Sequence, residues 1–444
     1  MRFAALVFVM ALAACAQEHA LIPSPSSAWG ATRAASKIQH VVIIFQENRT
    51  VDNLFQGLPG ADTAQFGKNS RGQRLKLQPI DMTAPYDLGH SHYSFVTERA
   101  GNKWNGFDKV SSTCFAVTWC IPRALRAYGY VPRAEVEPYF DLATRYAFAD
   151  RMFQTNQGPS FPAHQYIISG TSTIANGSIW RAAENPSSPM GVAAGGCDSP
   201  PDALVALIGP TGHEAHGVFP CFNRIALMDL LPAKSLTWRY YQAVLGAGLW
   251  NGPNAILHIR ENRRLNANVI APSSVVLEDI AKRRLANVVW VTPTAFASDH
   301  SASTNGTGPS WVAAVVNAIG RSPYWNSTAI FVTWDDWGGW FDHVIPRRYD
   351  SYELSFRVPL IVISPYAKSH YVSHVQHEYG SIIKFVEKVF GLRSLGTTDV
   401  RSDDLVDCFD FSKQPMKFEP IRAPFSQSYF LRQPPDTKAP DDDF

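Results

Sequence analysis

Four stretches of the chain are apolar at nearly every position and then stop at polar residues: "HVVIIFQEN" (40–48), "NVVWVTPT" (287–294), "TAIFVTWDD" (328–336) and "VPLIVISPY" (358–366). β-Branched and aromatic side chains fill all four. An unbroken apolar run, unlike an alternating one, predicts a strand buried on both faces, as in a parallel sheet covered by helices. Apolar residues at three-and-four spacing predict helices over "EPYFDLATRYA" (137–147), "PSWVAAVVNAIGRS" (309–322) and "YGSIIKFVEKVFGL" (379–392). Together they predict one large α/β domain over 37–395, with a mostly parallel central sheet flanked by helices and long loop insertions. The Gly-, Pro- and Ser-rich region at about 180–225 is expected to be an insertion or lid. Residues 396–444 are a C-terminal extension, and its end, "RQPPDTKAPDDDF", is expected to be disordered.

The N-terminus reads as an address. "MRFAALVFVMALAAC" (1–15) has a basic residue, an apolar stretch and small residues, the pattern of a secretory signal. Leu12-Ala13-Ala14-Cys15 resembles the bacterial lipoprotein signal, in which the Cys is lipidated; ordinary cleavage after Ala16 is the alternative. Residues 16–36 then form a tether, and the protein is expected to be exported to the periplasm or cell envelope, anchored through Cys15 or otherwise secreted. No later run of about 18 apolar residues predicts a membrane span.

Composition narrows the classes. A formal net charge of +2 with no dense Lys/Arg block argues against a nucleic-acid partner. There is no Walker A loop and no Gly-x-Gly-x-x-Gly, so nucleotide-driven chemistry has no support. Export implies an oxidising compartment. Cys114–Cys120 and Cys197–Cys221 are the local pairings open to the cysteines beyond Cys15; free buried thiols are the alternative.

Open α/β sheets bind ligands beyond the carboxyl ends of their strands. The residues that end the runs are therefore candidates: Glu47 and Asn48 after the first, Asp335 and Asp336 after the third. These oxygen donors suit one divalent cation, Ca²⁺, Mg²⁺ or Mn²⁺. Adjacent aspartates at a strand end are tolerable when a cation neutralises them; helix capping or solvent exposure is the alternative. In "NQGPSFPAHQYIISGTS" (156–172), Ser160 follows a Gly-Pro turn near a predicted helix start, where backbone N–H groups favour an anion. A plain N-cap serine is the commoner reading of such a residue. The histidines in "DLGHSHYSF" (His90), "SDHSAS" (His300) and "FDHV" (His343) lie beside Asp, Ser and Gly in loops.

Taken together, "FQENRTVDNLFQGLPGAD", "DLGHSHYSF", "QGPSFPAHQYIISGTS", "SDH", "SPYWNSTAIFVTWDDWGGWFDHVIP" and "FRVPLIVISPYAKSHYVSHVQHEYGSIIKFVEKVFGL" resemble the bacterial phosphoesterase family of phospholipases C and secreted acid phosphatases, in the family's order. The resemblance implies an alkaline-phosphatase-like core and hydrolysis of phosphate esters, small phosphomonoesters or phospholipid headgroups. It also implies a site in which Glu47, Asn48, Asp335 and Asp336 hold one metal beside the nucleophile Ser160, with His90, His300 and His343 around it. His300 or His343 is the expected proton donor to the leaving oxygen. The chain departs from the family where Asn-Arg often follows the nucleophile and this sequence has Ala163-His164-Gln165. A catalytically inactive tethered binding protein, or a sulfatase- or phosphotransferase-like hydrolase, are the competing classes.

Overall fold

A computed structural model describes residues 37–116, 119–189 and 192–435. The expected signal and tether, Cys15 included, and the tail beyond Pro435 lie outside the described residues.

Among the described residues, eight strands form the central sheet. In chain order they are β1 (His40–Gln46), β2 (Ala147–Ala149), β3 (Trp238–Tyr241), β4 (Val269–Ile270), β5 (Val288–Val291), β6 (Thr328–Trp334), β7 (Leu360–Ile363) and β8 (Tyr371–Ser373). Across the sheet they lie in the order β4-β3-β5-β1-β6-β7-β2-β8. Every neighbouring pair is parallel except the two that involve β7. The run at 358–366 is thus a strand, but it runs against its neighbours. An apolar run reports burial on both faces and not direction, and an antiparallel return needs no helical crossover.

The principal helices are α1 (His92–Arg99), α2 (Glu137–Arg145), α3 (Ser160–Ser169), α4 (Val275–Ala281), α5 (Gly308–Gly320), α6 (Tyr379–Phe390) and α7 (Gln427–Arg432). Side chains three apart on a strand point to opposite faces. On β6 the Phe331 ring meets Phe385 of α6 at 5.0 Å, and the Trp334 ring meets Tyr139 of α2 at 5.1 Å. Helices therefore cover both faces, which is why every residue of β6 is buried. The helix expected over 137–147 ends at Arg145, and its last residues turn into β2.

The region at 180–225 stands outside the central sheet. Arg181–Ala182, Val205–Ile208 and Glu214–Val218 form a small antiparallel sheet, and the Cys197–Cys221 disulfide staples the segment. Cys114 and Cys120 form a second disulfide, and Cys408 is a buried thiol. The C-terminal extension packs back on the domain: Phe430 of α7 meets Trp311 of α5 at 5.3 Å.

The register of β1 and β6 positions the candidate site. They pair in parallel from His40 opposite Thr328 to Gln46 opposite Trp334. Glu47 and Asp335 are the next residues on each strand, so they leave the sheet side by side. The pairing runs on past the strands: Asp335 N–H donates to Gln46 O at 3.0 Å, and Arg49 N–H donates to Asp336 O at 3.1 Å.

Candidate active site

At the carboxyl ends of β1 and β6 the structure gathers Glu47, Asn48, Asp335 and Asp336, all buried, against the first residue of α3, Ser160. Ser160 Oγ lies 3.2 Å from Asp336 Oδ2 and 3.5 Å from Glu47 Oε2. Asp335 Oδ1 accepts the backbone N–H groups of Asn48 at 3.1 Å and Asp336 at 2.7 Å, and Asp336 Oδ1 accepts that of Gly338 at 2.7 Å. One oxygen of each aspartate is thus spent on backbone, which aims the other inward. The Tyr379 hydroxyl donates to the carbonyls of Trp334, at 2.8 Å, and Asp335, holding the turn from above. Burial, followed by the charges of Asp335, Asp336 and Glu47, drives the Tyr379 pKa far up, so it stays a donor.

The glycines after the aspartates let three chain segments meet. Gly338 has φ +62°, and a Cβ there would lie 2.4 Å from Asn48 O; one on Gly339, at φ +70°, would lie 2.6 Å from Leu88 Cβ. Only glycine permits both the left-handed backbone and this approach. The 88–90 loop and Asn48 are thereby held against the aspartate turn. His90 Nδ1 donates to Leu88 O at 2.7 Å, so Nε2 is the acceptor for Asn48 Nδ2 at 3.3 Å. That contact orients the Asn48 amide, and its buried Oδ1 has no hydrogen-bond partner among the described residues. Asp335 Oδ2 is in the same condition. Buried oxygens of this kind are costly unless something positive meets them. The donor set of carboxylates and an amide oxygen fits a divalent cation.

His300 lies beside His90, with ring centroids 5.9 Å apart. Its Nδ1 donates to Ser301 O at 2.7 Å, which orients the ring. The residue before it is anchored firmly. Asp299 Oδ2 accepts from Tyr139 Oη and Trp334 Nε1, both at 2.9 Å, and Arg49 Nε donates to Asp299 O at 2.8 Å. Burial pushes the Asp299 pKa up to about 6 against the pull of Arg49.

His343 is set apart from this group. Its Nδ1 lies 2.7 Å from Asp52 Oδ2 and its Nε2 lies 3.0 Å from Asp62 Oδ1. Arg357, bonded to both oxygens of Asp342, completes a second cluster. Burial opposes the charged imidazole there, but the hydrogen bond and charge of Asp52, with Asp342, outweigh it and raise the His343 pKa.

One member of the site was not singled out from sequence. His164, one turn along α3 from Ser160, is fully buried, with Nε2 3.5 Å from Glu47 Oε1 and 3.8 Å from Asp335 Oδ2. Its only signal in the sequence was the departure from the Asn-Arg pattern.

The Phosphoesterase family model matches residues 38–393. "Phospholipase C B" of Mycobacterium tuberculosis is 24% identical over 86% of this chain and 80% of its own length. "Non-hemolytic phospholipase C" of Pseudomonas aeruginosa is 23% identical over 84% of this chain and 57% of its own length. Among solved structures, a protein in the alkaline phosphatase superfamily from Vibrio parahaemolyticus aligns over 87% of this chain and 72% of its own, at 11% identity and a TM-score of 0.38.

Proposed function

The chain belongs to the Phosphoesterase family, whose members hydrolyse phosphoric esters, and from that premise we propose that it is an exported phosphoesterase with Ser160 as a metal-assisted nucleophile. The observation that carries the reading is the Ser160 hydroxyl within 3.5 Å of two carboxylates at the ends of β1 and β6.

Ser160 Oγ attacks phosphorus while its proton passes to the Asp336 carboxylate, 3.2 Å away. The bond from phosphorus to the leaving oxygen breaks, and His300 gives that oxygen a proton. Water then cleaves the phosphoseryl ester, giving a proton back to His300 while Asp336 returns its proton to Ser160 Oγ; the product is phosphate from a phosphomonoester or the phosphorylated headgroup from a phospholipid. Glu47, Asn48, Asp335 and Asp336 would hold one divalent cation, Ca²⁺, Mg²⁺ or Mn²⁺, which supplies a lowered hydroxyl pKa and neutralisation of phosphoryl oxygens. His90 orients Asn48 for that role. His343, held between Asp52 and Asp62, is given no proton transfer here; it braces the loop that follows the aspartates.

The substrate class is a phosphate ester. The phospholipases C among its relatives support a phospholipid headgroup ester, and a small phosphomonoester is the other member of the class. Export is supported by the two disulfides, which persist in oxidising compartments. The test is turnover of p-nitrophenyl phosphate, bis(p-nitrophenyl) phosphate and phosphatidylcholine by the wild type, by chelated protein re-supplied with single metals, and by Ser160→Ala. The variant is expected to keep its fold by circular dichroism and to lose turnover by at least about 1,000-fold. Retention of most activity would remove Ser160 from the mechanism.

A further inference from the structure

The three acidic groups at the ends of β1 and β6 share their pocket with a nitrogen. His164 Nδ1 lies 3.2 Å from the Tyr240 hydroxyl, and that hydroxyl donates its single proton to Trp250 O at 2.6 Å. Tyr240 Oη can then only accept from His164, which places the His164 proton on Nδ1. The other nitrogen, Nε2, faces Glu47 Oε1 at 3.5 Å and Asp335 Oδ2 at 3.8 Å. Nε2, Glu47 and Asp335 offer ligand atoms that all lie within 4.8 Å of one another, and all three residues are buried. In the neutral tautomer a lone pair is aimed at two carboxylate oxygens, an arrangement that calls for a cation between them. A hydrogen bond from Nδ1 that fixes the tautomer is also how metal-binding histidines are commonly oriented.

We infer that His164 Nε2 is a nitrogen donor to the cation held by Glu47 and Asp335, and that it shifts the preference of the site from hard cations such as Ca²⁺ toward Zn²⁺. This rests on the reading of the centre as a cation site. The physical ground is ligand softness: oxygen-only sets suit Ca²⁺ and Mg²⁺, whereas imidazole suits Zn²⁺, Cu²⁺ and Fe²⁺. Tyr240 is the positioning residue, acting through the His164 tautomer.

The test uses full-length protein stripped of metal by chelation. Zn²⁺ and Ca²⁺ are titrated calorimetrically into wild type, His164→Asn and Asp336→Asn. Asn replaces Nδ1 but not Nε2, so the Tyr240 contact can persist. The expected result is a roughly 10- to 100-fold loss of Zn²⁺ affinity in His164→Asn, with Ca²⁺ affinity changed by less than about threefold. Asp336→Asn, which removes charge, weakens both metals. Since a substitution in a buried helix can unfold the protein, a second measurement needs no His164 variant. Electron paramagnetic resonance of Cu²⁺-loaded wild type should show coupling to a ¹⁴N nucleus, in a signal that Asp336→Asn weakens. Equal losses for Zn²⁺ and Ca²⁺, or a site signal with no nitrogen coupling, would overturn the inference and make His164 an ion-pair partner of the carboxylates. Wild type that binds neither metal more tightly than Asp336→Asn overturns the cation site itself, and the inference with it.

Discussion

Gly338→Ala isolates the device that brings the aspartate turn against Asn48. The backbone there has φ +62°, and a methyl group would sit 2.4 Å from Asn48 O and 2.6 Å from Asn48 Cβ. Two costs add. An alanine in the left-handed region costs about 1–2 kcal/mol. Ordinary contact begins at 3.4 Å, so 3.4 − 2.4 leaves 1.0 Å of overlap against a neighbour that is backbone. Relieving such overlap costs roughly 1–3 kcal/mol. The expected total is about 2–5 kcal/mol. Gly57→Ala is the internal control: φ there is +78°, with nothing within 4 Å of the added methyl, so only the backbone cost of about 1–2 kcal/mol applies. The two differ further in function. Moving Asn48 by about 1 Å displaces a group of the proposed cation site, and misplacement of that size can lower turnover by about 100-fold. Gly57→Ala should turn over as wild type. Urea unfolding of both variants gives the stabilities, and steady-state rates on whichever p-nitrophenyl ester the wild type hydrolyses give the activities. If Gly338→Ala matches Gly57→Ala in both measurements, the close approach of Gly338 to Asn48 does not position the site.

Two more expectations concern regions away from Ser160. The raised His343 pKa means that the folded state holds this proton more tightly than the unfolded chain. Its contribution is fully present below the unfolded value of 6.5 and is lost as pH rises through the folded value. Asp62, held below its ordinary range against burial by the charge of His343, contributes in the opposite window, above 3.8, and loses it as pH falls. Urea midpoints between pH 5 and 9 should therefore fall more steeply toward alkaline pH for wild type than for His343→Gln; parallel profiles would show that the imidazolium between Asp52 and Asp62 is not linked to folding. For the N-terminus, intact mass spectrometry of the mature protein should find a diacylglyceryl-modified, N-acylated Cys15, enough chains for stable anchoring. A soluble product beginning at Gln17 refutes the lipid anchor.

How much of this was legible in one dimension follows from how local each signal is. β1 and β6 were readable because burial on both faces leaves an unbroken apolar run. Glu47, Asn48, Asp335 and Asp336 were readable because the end of such a run marks the edge where a sheet meets its ligand. The family resemblance tied Ser160 to the same place. Strands of two to four residues such as β3, β4 and β8 left no comparable run; β3 forms on the edge of β5, β4 on that of β3, and β8 on that of β2. Direction was equally hidden: β7 reads like its neighbours, and the chain's return at the ends of β6 made it antiparallel. The histidines divide for the same reason. In sequence His90, His300 and His343 are alike, each beside a small or acidic residue in a loop. The fold set His90 against Asn48 and His300, and gave both nitrogens of His343 to Asp52 and Asp62. His164 is the sharpest case. Apart from Ser160 one turn before it, its neighbours on α3 are Phe161, Pro162, Ala163, Gln165 and Tyr166, and these do not tell a packing histidine from a ligand. What decides is distance to Glu47 and Asp335, residues 117 positions before it and 171 after it, which the register of β1 on β6 brings to one edge. A pattern of side chains along a chain encodes which faces are buried; which charges then meet is fixed only when strands choose their partners.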